Sequence, residues 1–114
     1  MTIDGIWSSE LGGPYGWEPN STLYLKGGHL HGGGRNHYSQ GSYQITEQMV
    51  VLRIDITQYG NKRALFGQKS EKVNIEVKAT LDGDKMVGEA TIPGHDDYGI
   101  YMRFIRRADE PGFI

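Results

Sequence analysis

Residues 71–92 read EKVNIEVKATLDGDKMVGEATI. From Val73 to Leu81, apolar residues alternate with charged or polar ones, which is the period of a β-strand with one apolar and one polar face. The Asp82-Gly83 pair follows, and this pair is typical of a tight turn between two antiparallel strands. A second strand-like run, Met86 to Ile92, completes the pattern. The stretch therefore predicts a β-hairpin, and its apolar face has to pack against the rest of the chain.

Six further runs of strand-like composition lie outside this hairpin. They are Ile3–Leu11, Thr22–Lys26, His29–His31, Tyr38–Thr46, Met49–Gln58 and Ile100–Arg106. We expect the segments between them to be loops or turns, the longer ones at 12–20, 32–34, 59–70 and 93–99. No segment has the apolar spacing of an amphipathic helix over three turns. The sequence therefore predicts an all-β fold of eight strands, as an antiparallel up-and-down barrel or alternatively as a β-sandwich.

Length and composition limit the classes of protein to consider. With 114 residues the chain has room for one core, and we expect a single barrel domain over 1–108 with a loose tail at 109–114. It has no cysteine, so disulfides, thiolate metal sites and thiol nucleophiles are excluded. The N-terminus has no basic region followed by an apolar run, and no stretch reaches the ~20 apolar residues of a membrane span. We therefore predict a soluble, cytoplasmic protein with no membrane partner.

The charge pattern does not favour nucleic acid as a partner. The chain has 12 Lys plus Arg and 14 Asp plus Glu, for a formal net charge of -2, with the two signs interspersed. The densest basic cluster is only Arg103, Arg106 and Arg107. Because tight nucleic-acid binding draws on clustered positive charge, direct binding to DNA or RNA is not expected.

No motif predicts catalysis. His29 and His31 are two residues apart and leave a strand on one face, which makes them weak candidates for a metal pair, but no partner that would fix them is evident. The glycines at 32–34 precede another strand rather than a helix, so they indicate turns and not a phosphate loop. Glu76 and Glu89 fall on polar strand faces. We therefore predict a protein that is not an enzyme and has no catalytic residues, metal or cofactor.

Aromatic and aliphatic residues supply the candidate binding positions. Aromatic rings with polar groups suit recognition at a barrel mouth, and the candidates are Trp7, Trp17, Tyr43, Tyr59, Phe66 and Tyr98. Phe66, in the longest connection, is the candidate lid residue. Three aliphatic residues on outward positions, Val51, Val87 and Ile105, are candidates for a homodimer surface. Small residues at inward positions, Gly41, Gly88 and Ala90, predict some unfilled volume inside the barrel.

Two resemblances add to these predictions. Gly5-Ile6-Trp7 on the first strand, with arginines on the last, resembles the lipocalin pattern, in which a tryptophan closes the barrel floor beneath an arginine. Over nearly its whole length the chain also resembles GrlR, a family of negative regulators of bacterial type III secretion. The motifs are Asp4-Gly5-Ile6-Trp7, the glycines of 27–34, residues 38–43 (YSQGSY), Leu65-Phe66-Gly67 and the closing strand 102–106 (MRFIR).

The GrlR resemblance implies a lipocalin-like barrel, a homodimer, and repression by holding a transcriptional activator without contacting DNA. The best known member of that family has a run of four acidic residues at the turn into strand five, which is implicated in holding the activator, whereas this chain has Thr46-Glu47-Gln48-Met49 there. Two functions remain open from the sequence. One is a regulatory protein that binds a protein partner, and the other is a carrier that holds a small apolar ligand in the barrel.

Overall fold

Eight antiparallel strands form a closed barrel in the computed structural model, which describes residues 3–13, 16–59 and 71–109, except for the side chains of 95–98. The strands are β1 (Gly5–Gly13), β2 (Gly16–Lys26), β3 (His29–Gly33), β4 (His37–Thr46), β5 (Met49–Gln58), β6 (Lys72–Asp82), β7 (Lys85–Ile92) and β8 (His95–Asp109). Each strand pairs with the next, and β1 pairs with β8 to close the sheet. The predicted up-and-down barrel is thus confirmed. The described residues include no helix long and apolar enough to cross a membrane.

Alternation along the strands determines the core. In β6 every second residue from Val73 to Leu81 is buried, while the residues between them are exposed or half-buried. β5 follows the same rule from Val50 to Ile56, and its register places Leu52 opposite Val77 and Ile54 opposite Ile75. Side chains from all eight strands therefore meet along the barrel axis. The largest fully buried ones include Trp7, Phe104, Met86 and Met102.

The first hairpin differs from its prediction. We expected a loop at 12–20, but Leu11 pairs with Glu18 and Gly12 pairs with Trp17, so β1 and β2 are joined by a short connection. The register between them shifts at Ser9 and Glu10. Such a bulge accommodates Pro19, which has no N–H for a regular ladder. Only the cross-strand pairing revealed that this glycine-rich segment is extended.

Two other boundaries also differ. Gly32 and Gly33, which were expected to end the third strand, pair with β2 and β4. A Cβ at Gly32 would overlap the carbonyl oxygen of Thr22, so glycine here permits a close approach of neighbouring backbones. The predicted loop at 93–99 is largely strand, because β8 begins at His95 after a turn at Pro93 and Gly94. β8 also continues to Asp109, and residues 110–114 of the predicted tail lie outside the described residues.

Candidate functional site

One end of the barrel, which we call the closed end, is formed by the turns at 27–28, 47–48 and 83–84 and is sealed by Trp7. The Trp7 ring is fully buried, and its indole N–H donates to the carbonyl of Ile3 at 2.9 Å. The guanidinium carbon of Arg106 lies 5.2 Å from the Trp7 ring centroid. Its Nη1 donates to the Asp4 carbonyl at 3.2 Å. The resemblance of Gly5-Ile6-Trp7 and the last-strand arginines to a closed lipocalin floor is matched by this geometry.

Tyr43 completes the closed end. Its hydroxyl donates to Asp4 Oδ1 at 2.9 Å, and the same oxygen accepts the backbone N–H of Gly27 at 3.2 Å. Burial raises the pKa of Tyr43 above its ordinary value, and the neighbouring Asp4 carboxylate adds to that rise. Tyr43 and Trp7, both predicted to bind ligand, therefore contact other parts of the chain.

The small inward residues do not create space in the way the sequence suggested. A Cβ at Gly41 would overlap the carbonyl oxygen of Arg53, and a Cβ at Gly88 would overlap that of Lys78. At these two positions the neighbouring backbone occupies the place of a side chain. Ala90 is itself fully buried in the core. The prediction of unfilled volume beside Gly41 and Gly88 is therefore wrong, because neighbouring strands approach each other more closely than a generic sheet would allow.

The other two aromatic candidates with described side chains, Tyr59 and Trp17, lie outside this closed-end network. Tyr59 is 64% exposed, and its ring stacks on Tyr38 with centroids 6.2 Å apart. Trp17 is on the outer wall near the β1–β2 connection. Phe66, the candidate lid residue, lies outside the described residues, and Tyr98 belongs to β8 with a side chain that is not described. Among the four candidates whose side chains the structure describes, only Trp7 and Tyr43 share an end of the barrel and a common network, through Asp4 and Arg106.

The paired histidines lie on the outer wall. His29 and His31 are exposed and flank the buried Leu30, as their spacing predicts. The His31 ring stacks on Tyr24 with centroids 5.2 Å apart. Among the side chains that the structure describes, no group of three or more His, Asp or Glu residues could hold a metal ion.

An aromatic groove, lined by Gly12, Gly13, Gly16, Trp17, Val87 and Tyr101, crosses the outer wall from β2 to β7 and encloses about 440 Å³. Register brings Trp17 beside Gly12. A Cβ built at Gly12 would lie 3.6 Å from both Trp17 Cζ3 and Tyr101 Cβ. Because glycine has no side chain, a slot remains between the two aromatic residues. Trp17 is 36% exposed and Tyr101 61% exposed, so both rings are accessible to a partner.

An ion pair supports one side of the aromatic groove. Arg103 Nε and Nη2 donate to Glu10 Oε1 at 3.1 and 3.0 Å, and Nη2 also donates to Oε2 at 3.0 Å. The Arg103 guanidinium carbon lies 4.6 Å from the Trp17 ring centroid. Bidentate pairing restricts the guanidinium to one orientation, and the guanidinium in turn supports the indole ring. The groove wall is thus ordered before any ligand arrives.

One carboxylate flanks the aromatic groove. Glu89 is the register partner of Tyr101 on β7, so its side chain leaves the outer wall beside that ring. Glu89 is exposed and forms no ion pair with another residue that the structure describes. Lys78 is opposite Glu89 on β6, on the side away from Tyr101. The rim of the groove is therefore acidic at its β7 side, whereas Glu18 follows Trp17 in β2 and points to the opposite face of the sheet.

Sequence reasoning missed most of this groove because it read 12–20 as a loop. Trp17 was a candidate, and Val87 was assigned to a dimer surface, but Gly12, Glu10 and Arg103 were not connected with either. The sequence signal for the groove was a pair of short strand-like runs on either side of residues 14 and 15, Leu11–Gly13 and Gly16–Glu18. An interpretation of these two runs as a hairpin would have predicted that Trp17 lies beside Gly12.

The three candidate dimer residues lie on one side of the barrel but not in one cluster. Val87 and Ile105 belong to the adjacent strands β7 and β8, where their register partners are Arg103 and Lys85. Val51 is on β5 and is separated from Val87 by β6, on which Lys78 is its register partner. Two strand spacings, about 10 Å, therefore separate Val51 from Val87, and three, about 14 Å, separate Val51 from Ile105.

The fold and its closed end define a class: a closed, eight-stranded antiparallel β-barrel that is compatible with a lipocalin-like fold. No family model matches the chain, and no curated protein matches it either.

Proposed function

We propose that this chain is a non-enzymatic binding protein that acts on a protein partner through its outer wall. The finer form of the proposal follows the GrlR resemblance: a homodimeric, cytoplasmic regulator that holds a transcriptional activator. The resemblance rests on the glycines, aromatics and closing strand of the sequence. The barrel topology is compatible with it.

The aromatic groove is the observation that supports a protein partner. Tyr, Trp and Arg are enriched among the residues that contribute most to protein interfaces, and Tyr101, Trp17 and Arg103 lie together here. At the turn that carries the acidic run in GrlR, this chain has only one acidic residue, Glu47, and the exposed Met49 lies two residues further along. The groove, rather than that turn, is therefore our proposed contact surface.

Site-specific photo-crosslinking tests this proposal. Tyr101 is replaced by p-benzoylphenylalanine, and the same replacement at Asn74, an exposed residue of β6 outside the groove, serves as the control. We expect a protein adduct from position 101 only. The partner is then purified, and its binding is measured with the unmodified chain and with the Gly12→Val variant, which fills the slot. A transcriptional activator as the partner supports the GrlR-like form of the proposal. The absence of an adduct from position 101 contradicts the proposal that a protein partner binds at the outer wall.

The alternative function, a carrier of a small apolar ligand, requires interior space. The described interior is occupied by large side chains such as Trp7, Phe104 and Met102, each 2% exposed or less. Native mass spectrometry of the purified protein separates the two functions. We expect the mass of the bare chain or its dimer. An added small-molecule mass that disappears on denaturation would favour the carrier.

A further inference from the structure

The lining of the aromatic groove indicates a ligand with an apolar ring and few polar groups. Its residues contribute two aromatic rings, one aliphatic side chain and glycine backbone. The polar side-chain groups in the lining are the Tyr101 hydroxyl and the Trp17 indole N–H, and both can donate to a carbonyl. A carbohydrate would need partners for many hydroxyls, which this lining does not supply. An extended peptide with a proline needs only a slot for the ring and donors for its carbonyls.

The charge at the rim of the groove further restricts the class of ligand. Glu89 lies beside Tyr101 at the β7 edge of the groove and lacks an ion-pair partner among the described residues. The positive charge of Arg103 is compensated by Glu10, which it binds through two nitrogens. The groove therefore has an excess of negative charge at its β7 edge. Charge complementarity favours a ligand with a basic residue beside its apolar segment.

Preorganisation suits a stiff, extended ligand. The Trp17 ring is supported by Arg103, and the slot floor at Gly12 is part of a paired strand, so little ordering is required on the protein side. A proline-rich segment in the polyproline II conformation is itself pre-ordered and exposes its carbonyls. Both sides of such a contact would lose little conformational entropy.

We infer that the aromatic groove binds an extended peptide segment in which a proline occupies the slot between Trp17 and Tyr101 and a basic residue contacts Glu89. The inference rests on the proposed function, since it specifies the part of the protein partner that is recognised. It goes beyond the GrlR resemblance, which implies neither this groove nor this ligand.

A peptide-library selection tests the inference. The probe is a displayed library of nine-residue random peptides, selected on the wild-type chain and counter-selected on Gly12→Val. A Cβ at Gly12 would make ordinary contacts at 3.5 to 3.6 Å, and the two further methyl groups of valine would fill the slot. Circular dichroism of the variant checks that the barrel is retained. We expect enrichment of peptides with proline next to arginine or lysine. No enrichment over the counter-selection, or enriched peptides without these residues, would overturn the inference.

Fluorescence anisotropy with an enriched, fluorescein-labelled peptide then tests the geometry. We expect Gly12→Val to weaken binding about tenfold or more, while Gln40→Val, the same side chain on the exposed face of β4, has no effect. Glu89→Gln is expected to weaken binding by about threefold to fivefold at low salt, whereas Glu18→Gln, on the opposite face of the sheet, is expected to have no effect. Asp55→Asn, on the far wall, is the charge control. Binding that is insensitive to Gly12→Val assigns the peptide to another surface.

The same variants distinguish a peptide from other ligands of the groove. They also separate a failure of the peptide inference from a failure of the proposed function. If Gly12→Val dissociates a dimer, the occupant is a second copy of this chain, and the peptide inference fails. A glycan array that binds the wild type but not Gly12→Val would overturn it in favour of a carbohydrate. If the selection fails while position 101 still crosslinks to a protein, only the peptide chemistry is wrong. If both fail, the proposed function is wrong as well.

Discussion

The Arg106 guanidinium contacts several groups at the closed end. It lies over the Trp7 ring, donates to the Asp4 carbonyl, and forms ion pairs with Asp84 at 3.1 Å and Asp109 at 3.7 Å. The side chains of both aspartates are more than three-quarters exposed, so these ion pairs contribute little. The ring contact and the hydrogen bond, made by a side chain that is only 15% exposed, carry most of the stabilisation.

Substituting Arg106→Lys is therefore expected to lower the free energy of unfolding by about 1–3 kcal/mol, because an ammonium cannot keep the ring contact and the directed hydrogen bond together. Urea denaturation measures the change. Arg107→Lys is the matched control: Arg107 is exposed and donates to Ser8 Oγ at 2.8 Å, so we expect a change within about 0.5 kcal/mol. Equal effects of the two substitutions would contradict the role given to Arg106.

The Tyr43 hydroxyl makes stability depend on pH in the alkaline range. Its pKa is raised above 10.0 in the folded chain, chiefly by burial, so the fold favours the neutral phenol. This contribution is fully present below the unfolded pKa and is lost as pH rises through the folded pKa. We expect the stability advantage of the wild type over Tyr43→Phe to decline above about pH 10. Urea melts of both proteins between pH 8 and 11 test this, and a constant difference would show that Tyr43 is not the titrating group.

At the scale of the strands, glycines in the wall have two different roles. Gly88 in β7 allows the backbone of β6 to approach, since a Cβ there would lie 2.5 Å from the Ala79 Cα. Gly12 in β1 leaves a slot on the outer wall, where a Cβ would make ordinary contacts. Gly88 is therefore required for packing between strands, whereas Gly12 leaves a surface that a ligand can contact.

Alanine substitutions should separate these two roles. We expect Gly88→Ala to destabilise the barrel by about 1–3 kcal/mol, because the β6–β7 pairing has to shift. Gly12→Ala, also within a strand, should change the unfolding free energy by less than about 0.5 kcal/mol. Thermal unfolding followed by circular dichroism provides the comparison. If Gly12→Ala were as destabilising as Gly88→Ala, the slot would be part of the packing rather than a free surface.

At the scale of the molecule, closure of the sheet limits how two copies can associate. Because β1 pairs with β8, the described barrel has no free strand edge, so a dimer has to form through side chains of the outer wall. A standard interface covers about 800 Å² on each partner, which is wide enough to include Val51 together with Val87 and Ile105. Because Val87 also lines the aromatic groove, a dimer that covers Val87 would compete with a partner for that end of the groove.

The homodimer prediction is tested through Val51, because Val87 also lines the aromatic groove. We expect Val51→Asp to give a monomer, since a charge would be buried in the apolar interface. Sedimentation velocity measures the state, and His29→Asp, on the exposed face of β3, is the control. An unchanged sedimentation coefficient, with native circular dichroism, would exclude Val51 from the interface.

The sequence alone was sufficient for the local part of the fold. The eight strand-like runs predicted the number of strands, and the tendency of sequential strands to pair predicted their order. The two-residue period in β5 and β6 predicted their inward residues, because it depends only on neighbours along the chain. Trp7 was also placed correctly at the barrel floor by its resemblance to lipocalins. These features are set by backbone preference and side-chain polarity.

The candidate site was decided only by the tertiary structure. Trp17, Gly12, Tyr101 and Val87 lie on four different strands, and they meet only because β1 closes on β8 in one register. The same register determines whether a glycine faces open space, as at Gly12, or a neighbouring backbone, as at Gly88. Cross-strand register is a non-local property, since it depends on the bulge beside Ser9 and on closure of the whole sheet, and no pattern along a single strand encodes it.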